Sequence, residues 1–206
     1  MDNSTQKSFV FGGRRMTEAP STYNRETAAM VFGKIDLNAG DVLIDLGCGT
    51  GNFSLHAAEI VGPQGKVLAV DTWAEMLEKV NLRAREADLK NITTIENNIC
   101  EGIALNDNQV DVCFISNVLH GQKLTDQREK LLHEVVRILK PGGRLAIIEF
   151  KKEKTPFGPP LSIRITPEEL EKGISDYGFQ KKEFLDFTYH YMMSFEKQSK
   201  IVDRLW

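Results

Sequence analysis

Residues 41–51 read Asp-Val-Leu-Ile-Asp-Leu-Gly-Cys-Gly-Thr-Gly, and no other stretch constrains the fold as much. Val42 to Leu46 is a short apolar run with one acid, Asp45. Gly47, Gly49 and Gly51 follow at alternate positions, and a helix-like pattern starts at Asn52. A buried strand, a glycine turn and a helix start make a corner at which a ligand can meet backbone, because glycine accepts φ > 0 and presents no Cβ. The spacing argues against two common ligands. A dinucleotide corner, G-x-G-x-x-G, needs glycine where Asn52 stands, and Gly51 comes one residue early. A phosphate loop ends in Gly-Lys-Ser/Thr, and no lysine follows Gly51. Asp45 would repel a pyrophosphate and suits a ligand that carries an ammonium group.

The rest of the chain alternates strand and helix signals, which calls for a parallel sheet covered on both faces. Runs rich in Val, Ile and Leu predict strands at 42–46, 66–70, 92–96, 110–115 and 143–149. Helical patterns fall at 25–34, 52–60, 74–88 and 126–139, the last stopped by Lys140-Pro141-Gly142-Gly143. Thr166-Pro167-Glu168-Glu169 opens a further helix over 166–177 with an N-cap, a first-turn proline and a capping-box glutamate. Two strand-like runs, 180–187 and 189–195, have room for only a short turn between them and predict an antiparallel hairpin. The expected fold is α/β, a doubly wound Rossmann-like sheet of five parallel strands plus a C-terminal antiparallel hairpin.

At 206 residues the chain is long enough for one such domain. The division expected is an N-terminal segment 1–24, a domain over 25–195 and a tail over 196–206 that docks on the body or on a second copy. Oligomeric state stays open at this point, a homodimer included. A net charge of −3 speaks against a general nucleic-acid binder. No apolar run reaches the roughly 20 residues that span a bilayer, and Met1 to Ser8 lacks the apolar core of a signal peptide. Cys48, Cys100 and Cys113 have no metal-like spacing and read as reduced thiols of a cytoplasmic protein, with no metal site expected. Ligands of open α/β sheets sit beyond the carboxyl ends of the strands. The irregular segments 1–24 and 151–165 are therefore lid candidates, the first also reading as a frayed terminus.

Asp45, Gly47, Gly49 and Gly51 fit D-x-G-x-G-x-G, and the chain here resembles the class I S-adenosylmethionine (SAM)-dependent methyltransferases. The turn Asp107-Asn108-Gln109-Val110-Asp111 and the run Leu139-Lys140-Pro141-Gly142-Gly143 extend the resemblance to the small-molecule methyltransferases grouped with ubiquinone and menaquinone biosynthesis. These markers are shared by many methylators of small molecules, so they point to SAM as cofactor and leave the acceptor open. Asp71, about 20 residues beyond the corner at a strand end, offers two carboxylate oxygens to the two hydroxyls of a ribose. The resemblance implies that Thr72 borders the adenine, with Trp73 either covering it or capping an apolar edge. It also implies that Asn98, or Asn97 after a one-residue slip, reads the adenine edge together with the Ile99 N–H. Ser116, at the end of the fourth strand, is implied near the methionine part through its backbone.

A sulfonium methyl is already activated, so alignment of the reactants, which can supply up to ~7–11 kcal/mol, does most of the work. A base is required only where the acceptor must lose a proton, and His120 is the best-placed candidate, with a core or helix-start histidine as the bland alternative. His190, between Tyr189 and Tyr191, reads chiefly as strand packing, and Glu149 as an ion-pair partner for Lys151. Two competing functions remain: a SAM-binding regulator or partner subunit without its own turnover, and an NAD-type oxidoreductase, against which the glycine spacing speaks.

Overall fold

The computed structural model describes residues 8–11, 14–17, 23–121 and 127–199, the first two stretches by their backbone alone. Strands β1 (Ser8–Phe11) and β2 (Arg14–Thr17) pair antiparallel as a two-stranded ribbon where the sequence shows little periodicity. Residues 1–7, 12–13 and 18–22, on which much of the N-terminal lid expectation falls, lie outside the described residues.

From Tyr23 the chain alternates as its pattern requires. Helix α1 (Arg25–Lys34) starts at Asn24, whose side-chain oxygen accepts from the Thr27 N–H at 2.7 Å. There follow β3 (Val42–Leu46), α2 (Asn52–Val61), β4 (Lys66–Asp71), α3 (Ala74–Glu86), β5 (Ile92–Glu96), β6 (Val110–Ser116), α4 (Arg128–Ile138) and β7 (Leu139–Phe150). A single 3-10 turn at Leu161–Ile163 leads to α5 (Pro167–Ser175), β8 (Phe179–Asp186) and β9 (His190–Lys197). The capping box of α5 forms as its sequence specifies, Thr166 and Glu169 each bonding the other's backbone N–H.

Seven strands make one sheet in the order β5-β4-β3-β6-β7-β9-β8. The first five are mutually parallel, and β9 runs antiparallel to both β7 and β8. This is the expected five-stranded parallel sheet with a closing hairpin, its arms joined by residues 187–189. The chain leaves β3 toward β4 on one side and returns to β6 on the other, so the carboxyl end of β3 is a topological switch point.

Both sheet faces are buried, which is why the parallel strands read as continuous apolar runs. On one face Ile44, Leu46, Ile115 and Ile147 pack with Leu131 and Val135 of α4 and Leu170 of α5. On the other, Leu43, Val112 and Phe114 pack with Val31 and Phe32 of α1 and Phe53 of α2. The rings of Phe32, Phe53 and Phe114 meet there with centroids 4.8–6.1 Å apart.

The helix stop at 140–143 has a different local form from the one expected. Helix α4 ends at Ile138 and β7 begins at the next residue, Leu139 pairing with Val110 before the ladder resumes at Arg144 with Val112. Lys140 to Gly143 thus stand opposite Asp111 alone, a bulge with Gly142 at φ +74° and Lys140 Nζ held at 2.7 Å from the Asp111 carboxylate.

Candidate functional site

Gly47, Gly49 and Gly51 take φ of +80°, +52° and +74°, the left-handed region that other residues adopt at a cost. The turn is stitched to β4, since the N–H groups of Gly47 and Cys48 both donate to the Val70 carbonyl, at 2.8 and 2.9 Å. A Cβ on Gly47 would lie 2.5 Å from Val118 Cγ2, and one on Gly51 2.6 Å from Val80 Cγ2. Those two glycines are demanded by the protein's own packing. A Cβ on Gly49 would meet no atom within 4 Å, so the turn is open on that side. From α3, Arg83 Nη1 braces the turn through the Thr50 carbonyl (2.7 Å) and Asn52 Oδ1 (2.8 Å).

Asp45 lies beneath this corner. Its carboxyl is only 2% exposed and accepts from Ser54 Oγ of α2 at 2.5 Å. Burial pushes its pKa up to about 7; the Ser54 hydrogen bond works against that shift and the charge of Asp71 adds to it. In the ligand-free protein this acid is held by α2 from beneath the turn. Burial, helped by Asp45 and Asp71, also pushes the Cys48 thiol well above the ordinary thiol range.

Asp71, at the end of β4, accepts from the Gly49 N–H at 2.8 Å through Oδ2 and from the Trp73 N–H at 3.1 Å through Oδ1. Carboxylate oxygens accept more than one bond each, so capacity for a diol remains. Thr72 is exposed, and Trp73 occupies the N-cap position of α3. On the next strand, the Asn97 N–H bonds the Asp71 carbonyl at 3.1 Å, and Asn97 Oδ1 is buried without a hydrogen-bond partner. The exposed Asn98 closes on its own turn: Nδ2 donates to Glu101 Oε1 (2.7 Å) and Oδ1 accepts from the Cys100 N–H (3.2 Å). Ile99 is buried. Corner, Asp71–Trp73 and Asn97–Ile99 thus stand at the carboxyl ends of three adjacent strands.

Beyond β6, Ser116 leads into Asn117 at φ +57°, whose N–H donates to the Ile148 carbonyl at 2.8 Å. The same turn presents Val118 to Gly47 and His120 to β7. His120 Nδ1 lies 2.6 Å from Glu149 Oε2, and Glu149 Oε1 accepts from the Leu119 N–H at 2.7 Å. The Glu149 side chain is 1% exposed. A carboxylate only accepts, so in this pair His120 Nδ1 is the donor and Nε2 is the nitrogen turned away from Glu149. The pairing of Glu149 with Lys151 expected from sequence is not made: Lys151 Nζ turns to Asp186 at 2.6 Å. Glu149, still within β7, is buried and taken up by His120 and the Leu119 N–H, whereas Lys151 lies one residue past the end of the strand and reaches the hairpin.

Arg164 escaped the sequence reading. It is 5% exposed and donates to the carbonyls of Lys151, Glu153, Pro159 and Phe157 and to Thr155 Oγ1, at 2.8–3.4 Å. Within the segment 151–165, read as a lid candidate, Arg164 thereby fastens residues 151–159. Its one sequence signal is an arginine set between Ile163 and Ile165. A surface depression of about 660 Å³ lies elsewhere, lined by Gly62, Gly65, Lys66 and Asn91 at the amino ends of β4 and β5, remote from these groups. Among the described residues no cluster of His, Cys, Asp and Glu could hold a metal ion.

The chain is 34% identical over 117 residues to a demethylmenaquinone methyltransferase of Listeria welshimeri, an alignment covering 57% of this chain and 48% of that protein. It spans about half the length of the curated relatives it matches. A SAM-dependent methyltransferase from Aquifex aeolicus superposes with a TM-score of 0.75 at 28% identity, covering 82% of this chain and 89% of that one. The [4+2]-cyclase SpnF shares the fold, with a TM-score of 0.72 at 17% identity over 85% of this chain and 81% of its own. The family described as the methyltransferase domain matches residues 37–197, a span that includes the glycine corner, Asp71, the Asn97–Ile99 turn, His120 and Glu149, and the chain belongs to that family.

Proposed function

We propose that this protein is a SAM-dependent methyltransferase that methylates a small-molecule acceptor. The glycine corner carries the reading: three left-handed glycines, two fixed by internal packing and one, Gly49, open on its outer side and bonded to Asp71. A cofactor with an amino-acid end, a ribose and an adenine fits this series of groups. Gly49 offers backbone to the amino-acid end, Asp71 accepts the ribose hydroxyls, and Thr72, Asn98 and Ile99 border the adenine. Ser116 lies toward the methionine part. SAM, when bound, supplies a methyl group activated on sulfonium sulfur.

His120 then receives the acceptor's proton at Nε2. Glu149 orients the ring through Nδ1 and stabilises the imidazolium that forms, the arrangement expected of a base held by a buried carboxylate. Val118 joins the two halves, touching the corner two residues before His120. No described helix is long and apolar enough to cross a membrane, and Cys48, Cys100 and Cys113 are free thiols, which supports a cytoplasmic setting.

Calorimetry with SAM and S-adenosylhomocysteine tests the cofactor, with Asp71→Ala expected to weaken both. Absence of binding by the native protein sinks the reading. A metabolite extract incubated with methyl-labelled SAM then identifies the acceptor. Binding without any labelled product would leave a SAM-binding protein without turnover.

A further inference from the structure

We propose that His190 recognises the methyl acceptor through a hydrogen bond between its Nε2 and a hydroxyl group of that molecule. The proposal rests on the methyltransferase reading and names a chemical feature of its substrate. His190 opens β9 and pairs with Phe150, the last residue of β7, at the sheet end that carries the glycine corner. The residue is 5% exposed, and its Nε2 is buried with no hydrogen-bond partner. Buried polar atoms are nearly always partnered, and one that is not is accounted for when a ligand completes it. Simple packing would not need it: the ring lies 3.9 Å from the Phe150 ring, a contact any aromatic side chain could make.

Its surroundings match a substrate site. Phe150 also stands edge-on to His120, the candidate base, with centroids 6.3 Å apart. Phe157 packs edge-on against Phe150 at 6.0 Å and against Tyr189 at 5.1 Å, forming an aromatic wall beside the two histidines. Arg164 holds the segment that carries Phe157 and lies over the Phe150 ring at 5.1 Å. Burial, reinforced by the charges of Arg164 and His120, lowers the His190 pKa to about 4, so the ring is neutral at physiological pH. The Nε2 of a neutral imidazole carries either a hydrogen or a lone pair. A hydroxyl both donates and accepts, so it satisfies either tautomer, whereas a carbonyl or an ammonium satisfies one.

Phenol is the probe, with toluene as the same ring lacking the hydroxyl. Protein labelled with ¹⁵N at histidine is saturated with S-adenosylhomocysteine and titrated with each. The expected result is that phenol moves the His190 Nε2 resonance and toluene does not. His190→Phe weakens phenol binding about fivefold, the size of one neutral hydrogen bond, and His190→Gln, whose amide can donate or accept, retains most of it. Both variants keep the affinity of the native protein for S-adenosylhomocysteine. An unmoved His190 resonance overturns the proposal, as does equal response to phenol and toluene or native phenol affinity in His190→Phe. Failure of the native protein to bind S-adenosylhomocysteine sinks the methyltransferase reading itself, and the proposal with it.

Discussion

Replacing Asp45 by Asn should make the ligand-free protein more stable at alkaline pH, although it removes the acid of the D-x-G-x-G-x-G run. Asp45 is 2% exposed and hydrogen-bonded to Ser54 at 2.5 Å, and burial raises its pKa from 3.8 to about 7. Between these values the folded protein holds a proton that the unfolded chain has released. Stability from this group is therefore complete below about pH 4 and is lost as pH rises through about 7. At 1.36 kcal/mol per unit, the shift of roughly three units sets an upper bound of about 4 kcal/mol on the loss. Asn keeps an acceptor for Ser54 and stays neutral, so the variant escapes the loss. Urea denaturation followed by fluorescence should show native protein and variant converging near pH 4, with the variant ahead by one to a few kcal/mol, about 4 at most, near pH 8. A variant less stable than the native protein near pH 8, or a gap that does not change with pH, would refute the account of Asp45 as a carboxyl held half-protonated by burial.

Other perturbations separate the roles assigned above. Gly51→Ala puts a methyl group 2.6 Å from Val80 Cγ2 and should cost about 1–3 kcal/mol in stability; Gly49→Ala, with open space, should cost about 1 kcal/mol or less but weaken S-adenosylhomocysteine binding more than tenfold by calorimetry. Glu149→Gln keeps an acceptor for the Leu119 N–H but can present an amide donor to His120 Nδ1, moving the ring proton to Nε2. Turnover of an acceptor that must lose a proton should fall about 10²-fold or more, with S-adenosylhomocysteine affinity retained; unchanged turnover would remove the base from the mechanism. Arg164→Met leaves the carbonyls of residues 151, 153 and 159 without their donor and should cost about 3 kcal/mol, with limited proteolysis appearing first within 151–160.

The parts of the site that were legible in the sequence are those whose cause is local. Gly47, Gly49 and Gly51 are set by backbone φ and by spacing within one turn, and Asp71 by its place at the end of the next strand, so reading along the chain reaches both. The capping box at Thr166 was legible for the same reason. Asn98 shows the limit of that method: it stands just past the strand end as expected, yet its amide is engaged by Glu101 and Cys100, while the uncommitted buried oxygen belongs to Asn97. Spacing places a residue at a strand end but does not say which of two neighbouring amides is already satisfied.

The proposed acceptor side depends on contacts between elements far apart in sequence, and this is why His120 was legible as a candidate while its pairing with Glu149 was not. His120 gains its partner from a residue 29 positions away, because β6 and β7 lie side by side in the sheet. His190 reaches the same place by a third route, as the start of the strand inserted between β7 and β8. Neither residue stands in a motif, and a sheet with another strand order would separate them. The two halves of the site therefore respond differently to sequence change. A side chain at Gly47 or Gly51 meets Val118 or Val80 at once, and the Gly49 N–H is held by Asp71, so change within this turn should alter cofactor binding. The segment from Lys151 to Arg164 touches the corner through none of its described hydrogen bonds, and it can vary in shape provided that Arg164 still holds it down. Exchanging residues 152–159 between this chain and a relative should accordingly change which acceptor is methylated and leave the affinity for S-adenosylhomocysteine as it was.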